Sequence, residues 1–157
     1  MSVVTIAKPD ELDHPSPGMG DLYLLRGLPN AGKSTIAEQL APGAVFAADD
    51  LFETDAGYVF DRARLGEAHS SCRANVRKAF ASGVERIAVA NTFATRDEIT
   101  PYLEMAHLHD YHIHVMAVEK LHDGDNEHDV PLASVKMMTK RFEWIDPRLR
   151  HRRRFLL

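Results

Sequence analysis

A chain of 157 residues suits one domain that buries about two thirds of its unfolded surface, so no second domain is expected. With 45% hydrophobic and 27% charged residues it reads as a soluble globular protein; no apolar run reaches the length of a membrane span, and no secretory signal pattern opens the chain. The formal charge of −4 offers no global attraction to nucleic acid, and the lone Cys72 excludes an internal disulfide, which suits the reducing cytoplasm.

Residues 1–20 carry Pro9, Pro15, Pro17 and Gly18 without apolar periodicity, and are expected to form a mobile leader or a loosely packed arm. The folded domain is expected over 21–146, with 147–157 as a basic tail. Leu22 to Leu25 is a short apolar run of strand character. It leads into Gly27-Leu28-Pro29-Asn30-Ala31-Gly32-Lys33-Ser34-Thr35, a full match to the phosphate-loop pattern G-x-x-x-x-G-K-[ST]. Glycines at these positions let backbone N–H groups wrap a phosphate. Lys33 reaches the β and γ phosphates of a nucleoside triphosphate, and the Ser34 hydroxyl is a Mg²⁺ ligand. The helix that begins near Lys33 aims the positive end of its dipole at the anion.

Pro42-Gly43 stops that helix, and Ala44 to Ala48 reads as a second buried strand that ends in the carboxylate pair Asp49-Asp50. In an open parallel sheet, ligands sit beyond the carboxyl ends of the strands, so the pair arrives at the edge that carries the phosphate loop. Leu51 to Phe60 is a connection. Residues 61–82 have helical composition, with Asp61 as a cap and Gly83 as the stop. Leu65, Ala68, Cys72, Val76 and Phe80 repeat there as one buried stripe, with Glu67, His69 and Arg73 off it.

Arg86 to Ala90 is the third strand, and Asn91-Thr92-Phe93 leaves its carboxyl end. A helix follows over 96–109, and Pro101 fits its first turn if the helix starts at Thr100. Tyr111 to Val118 is the fourth strand, with His112 and His114 alternating against Ile113 and Val115 as in a half-exposed edge strand; a metal site from the two histidines would need a third ligand that no spacing supplies. His122 to Asp129 has the look of a calcium loop, but His128 and Ser134 stand where the turn glycine and the bidentate glutamate belong, so a polar mobile loop is expected. Leu132 to Ile145 is the last helix, with Val135, Met138, Phe142 and Ile145 as its core stripe. Eight of the 19 Lys and Arg lie between Lys136 and Arg154, either as an electrostatic footprint for phosphates or as a solvated helix and tail. Strands alternating with helices predict a three-layer α/β sandwich, a P-loop NTPase fold with a parallel sheet flanked by helices.

A phosphate loop permits hydrolysis, signalling or phosphoryl transfer, and a carboxylate pair after the second strand favours transfer, with Asp49 to take the acceptor's proton. The loop with its preceding Leu24-Leu25-Arg26, then Ala48-Asp49-Asp50, Glu67-Ala68-His69, Asn91-Thr92 and His128-Asp129-Val130-Pro131, together resemble the polynucleotide 5′-hydroxyl kinase family of small P-loop kinases with an AAA-type ATP-binding domain. The resemblance spans about Leu22 to Phe142. It implies ATP and Mg²⁺, with Asp49 as general base and, beside Ser34, a metal partner. It also implies Glu67, His69, Arg73, Asn91 and Thr92 as residues that orient the substrate, with Asp50 either among them or a helix cap or supporting acid. Two departures stand out: Ala90 and Phe93 replace the acid and the Asn that relatives carry around Asn-Thr, and Leu121 to Asp129 lacks the lid arginine. Transition-state charge would then fall to Lys33, Mg²⁺ and Lys120, Lys136, Lys140 or Arg141. The expected activity is an ATP-dependent kinase acting on a nucleic-acid hydroxyl, at a 5′ end or on a hydroxymethylated base. A kinase for a nucleoside or other small metabolite is the alternative, and a non-catalytic nucleotide-binding adaptor a third reading.

Overall fold

The computed structural model describes residues 19–119 and 132–143, together with a two-residue strand, β1 (Val4–Thr5). The central strand is β2 (Gly20–Arg26); it runs into the phosphate loop and α1 (Lys33–Leu40). After β3 (Val45–Phe46) comes a 3-10 turn at Ala48–Phe52, then a hairpin of β4 (Glu53–Thr54) and β5 (Gly57–Tyr58). A second 3-10 turn, Arg62–Arg64, opens α2 (Leu65–Ala81). The chain continues through β6 (Arg86–Asn91), α3 (Arg96–Leu108), β7 (Tyr111–Val118) and α4 (Leu132–Arg141).

The five-stranded sheet has the order β1-β7-β2-β6-β3, with β7, β2, β6 and β3 parallel and β1 antiparallel at the edge. Strand alternation gives its two faces different jobs. On one face Leu22, Leu24, Ile87 and Val89 pack under α2 and α3 with Val76, Phe80, Ile99 and Tyr102, forming the larger core. On the other, Leu25, Ala88 and Ala90 meet Ala37 of α1 and its C-cap residue Ala41. Alanines on both sides let α1 approach the sheet closely, and this seats the phosphate loop at the ends of β2 and β6.

The α/β sandwich with its parallel sheet is the expected fold, and the structure corrects several details. Val4–Thr5, within the expected leader, pairs with Val118 and Ala117, and β2 begins at Gly20, so the ordered sheet starts earlier than residue 21. That pairing also removes β7 from the edge at its carboxyl end. The strand predicted over 44–48 stops at Phe46, because the Asp50 carboxylate accepts a hydrogen bond from the Ala47 N–H at 2.8 Å and turns the chain into a 3-10 helix. Pro101 lies in the second turn of α3, not its first. The helix starts at Arg96 because carboxylates supply acceptors there: Glu98 takes the Ala94 N–H at 2.9 Å and Glu143 the Arg96 N–H at 2.8 Å. Residue 143 is far away in the chain, and no local pattern predicts that cap.

The last helix ends at Arg141 rather than Ile145, and its Val135 and Met138 are half-buried rather than core. The polar loop at 122–129, Lys120 and the tail at 147–157 lie outside the described residues, as does nearly all of the expected leader. Among the described residues no helix is long and apolar enough to cross a membrane.

The small-residue contact beneath α1 generates a stability test. Ala88→Leu, which overpacks that layer, is expected to cost about 1–3 kcal/mol. Leu24→Ala on the opposite face leaves a cavity and costs about 2–5 kcal/mol. Urea unfolding of both variants checks this; a neutral Ala88→Leu would show that α1 does not pack closely on the sheet.

Candidate functional site

The phosphate loop depends on close approach at one glycine and on a left-handed backbone at another. A Cβ at Gly27 would run into the Val118 carbonyl oxygen, so only glycine fits where the loop leaves β2 beside β7. Gly32 has φ 93° at the N-cap of α1, a conformation that costs little without a Cβ, and Asn30 is left-handed as well at φ 62°. No side chain caps α1 and no acid lies in its first turn, so the positive end of its dipole is uncompensated from within the helix. Ser34 and Thr35 are exposed on that turn.

Lys33 lies half-buried across the loop. Its Nζ donates to the carbonyl oxygens of Gly27 at 2.9 Å and Leu28 at 2.8 Å. Burial lowers its pKa from 10.5 to about 8, while the charge of Asp49 pulls the other way. Of the two residues that sequence reasoning singled out for chemistry, Asp49 therefore lies within electrostatic reach of the Lys33 ammonium.

Asp49 is exposed in the first turn of the 3-10 helix, and Asn91 holds that turn from behind. The Asn91 Oδ1 accepts the Ala48 N–H at 2.8 Å, and its Nδ2 faces the Cys72 Sγ at 3.8 Å; Tyr102 donates to the same sulfur at 3.4 Å. Burial pushes the Cys72 thiol up, so it is a neutral, packed group. Asn91 is buried and its amide is committed to this network, which makes it a support for Asp49.

The remaining expected residues fall into separate surroundings. Asp50 reaches back to the backbone as a cap, and burial raises its pKa. Glu67 pairs with Arg64 at 2.8 Å on exposed surface, a pairing that holds its carboxyl below its ordinary range. Arg73 donates to the Ser70 hydroxyl at 3.0 Å, and His69 is half-buried on the same helix, α2, which packs against the 3-10 turn. Thr92 contributes its carbonyl, which accepts the Gly27 N–H at 3.1 Å. His114 bonds Asp21 at 2.7 Å and stacks on Tyr23, and no cluster of three metal-ligating side chains occurs among the described residues.

Sequence reasoning missed Tyr58. It sits on β5 with its ring edge-on to Phe52 at 6.2 Å, and its pKa is pushed up to about 12, chiefly by burial and then by the charges of Asp49 and Glu53 and a hydrogen-bonding contact with Asp49. The phenol stays protonated and presents a donor to Asp49. Only the hairpin brings it there, and a two-residue strand leaves little periodicity to read. Arg26 was missed as well, although a charged residue at the end of an otherwise apolar strand was a visible signal.

Residues 22–145 match the family described as AAA domain. Human NEDD4-binding protein 2 is 35% identical over 96 residues, which make up 59% of this chain and 5% of that protein, so the chain spans a small fraction of this curated relative. Among solved structures, a candidate kinase from Chloroflexus aurantiacus superposes with a TM-score of 0.49 at 18% identity, covering 64% of this chain and 59% of that one. APE1195 superposes with a TM-score of 0.42 at 20% identity, covering 60% and 59%.

The lowered Lys33 pKa sets a direction for pH dependence. Between about 8 and 10.5 the unfolded chain binds a proton that the folded chain has released, so the penalty from burying this charge is relieved as pH rises through that window. Titrating ¹³C-labelled lysines by NMR is expected to show one resonance with a midpoint near 8 that Lys33→Ala removes. A midpoint of 10 or above for Lys33 would mean that its ammonium is solvated.

Proposed function

The chain belongs to the AAA domain family, and from that membership together with the Lys33–Asp49 arrangement we propose that it is an ATP-dependent kinase transferring the γ-phosphate to a hydroxyl of a nucleic acid. The observation that carries this reading is the glycine-dependent phosphate loop with its lysine laid across it, at the sheet edge where the turn after β3 exposes the Asp49 carboxylate, one suited to phosphate and the other to a proton. In the proposed step the acceptor oxygen attacks the γ-phosphorus, the bond from that phosphorus to the β–γ bridging oxygen breaks, and the acceptor's proton passes to Asp49. Lys33 neutralises charge on the transferred group, and the N–H groups of the loop and of α1's first turn orient the phosphates. Ser34 and Asp49 are hard oxygen donors, exposed and suited to Mg²⁺, which would neutralise phosphate charge when bound. Tyr58 as a donor to Asp49 would keep the carboxylate aimed.

A nucleic-acid acceptor is supported by the basic character of the carboxyl-terminal part of the chain, in which Lys136 and Lys140 of α4 are exposed. Arg141 is less free, since it approaches Glu98 at 3.6 Å. A second reading, a kinase for a nucleoside or other small hydroxyl compound, is favoured by the acids around Asp49. Glu53 and Asp55 are exposed on the adjacent hairpin and would repel a polyanion.

For the chemistry, Asp49→Asn is expected to lower turnover about a hundredfold or more with ATP affinity largely kept, and Asp50→Asn to act mainly on stability. Steady-state rates and calorimetric ATP binding for both variants check this; a larger turnover loss in Asp50→Asn would reverse the assignment within the pair.

For the acceptor, binding of a fluorescent 5′-hydroxyl oligonucleotide is expected to weaken steeply with salt, and the slope to flatten when the chain is cut after Pro147. Absence of oligonucleotide binding, with phosphorylation of a compound from a nucleoside panel, would favour the second reading.

A further inference from the structure

Arg26 is the last residue of β2, immediately before the loop, and it is 4% exposed. A buried guanidinium is tolerated only when its donors are met. Here they go to main-chain carbonyls: Nε to Phe93 at 3.1 Å, and Nη2 to Phe93 at 2.9 Å, Ala94 at 3.3 Å and Glu143 at 2.8 Å. The Phe142 ring covers the group, its centroid 4.1 Å from Cζ.

The groups that Arg26 joins are also joined to one another. Glu143 donates its N–H to the Ala94 carbonyl at 2.7 Å and accepts the Arg96 N–H through its side chain at 2.8 Å. Gly27, the next residue after Arg26, donates to Thr92 at 3.1 Å. Between them Phe93 takes φ 46°, a left-handed conformation that a bulky side chain adopts only under constraint. Its ring is buried edge-on against Tyr102 at 5.4 Å, and its carbonyl receives two of the Arg26 bonds. One short segment, 92–94, thus holds the start of the phosphate loop on one side and the residues that follow α4 on the other.

We propose that Arg26 is a positioning residue that couples the phosphate loop to the seating of the chain that leaves α4, through Phe93, Phe142 and Glu143. Nucleotide on the loop and residues 142–143, which anchor the carboxyl end of α4, then reinforce each other, because each favours the same arrangement of 92–94, and that coupling is reciprocal. The inference rests on the nucleotide-binding part of the reading above and adds a residue with no contact to phosphate that governs affinity for it.

The test is a double-mutant cycle with ATP as the probe. Phe142→Ala is expected to raise the Kd for ATP about tenfold, the fold-change that a partly desolvated cation–π contact is worth, although Phe142 lies outside the loop. Arg26→Lys, which keeps the charge and loses the fork, should do the same, and the double variant should be no worse than the more severe single one. Hydrogen exchange in α4 should slow when ATP is added to the wild-type chain and not in either variant. Val76→Ala, a core change on α2, serves as the stability control and should keep both the ATP affinity and the α4 response. Additive losses, an unchanged Kd in folded single variants, or α4 exchange indifferent to ATP in the wild type would each overturn the coupling while leaving the kinase reading intact. Failure of the wild-type chain to bind ATP would overturn the nucleotide reading and the coupling with it.

Discussion

The burial of one guanidinium directly before a phosphate loop constrains much of this structure. Arg26 can stay inside only if carbonyl oxygens converge on it, and those oxygens come from the β6–α3 connection and from the chain leaving α4. Meeting that demand holds the left-handed backbone at Phe93 and brings Glu143 to the start of α3. Burial lowers the Arg26 pKa, but the charges of Glu143 and Glu98 oppose that shift, so the group keeps its charge and its full set of donors.

The same segment explains how this chain accommodates the bulky Phe93 in a left-handed conformation. A left-handed residue favours Gly or Asn, whose short side chains relieve the crowding. Phe93 has no such relief, and it is held instead by a buried ring and two hydrogen bonds to its carbonyl. Ala90 marks a different compromise. It belongs to the layer of small residues beneath α1, and its methyl packs in that layer with Ala88, Ala37 and Ala41. The seat of the phosphate loop and the composition of the neighbouring strand are therefore linked through packing.

Around Asp49 the structure supplies support that no motif contains. Asn91 ties down the turn from the core side, Asp50 closes it from within, and Tyr58 meets the carboxylate from the hairpin. These residues come from β6, the turn itself and β5. Asp50 takes the capping role open to it in the sequence, whereas Asn91 resembles a group facing a substrate, since a polar residue at a strand end looks the same whether it serves a ligand or a backbone N–H. Burial separates the cases: Asn91 is 6% exposed, and its amide is already committed.

Much of this protein could be read from local pattern alone. The short apolar runs at Leu22 to Leu25 and Ile87 to Ala90, the helical stripe from Leu65 to Phe80, the glycines of the loop and the stop at Gly83 are each governed by interactions within a few residues, so the α/β fold and the position of the loop followed from the chain. Where Pro101 falls in its helix, that Val4–Thr5 joins the sheet, and that Arg26 is buried rather than solvated were decided by partners 47 to 117 residues away or by a single backbone pairing. A carboxylate 47 residues distant can start a helix, and a carbonyl 117 residues distant can bury a charge. Such contacts leave no periodic trace in the sequence, because they exist only once the chain has closed on itself.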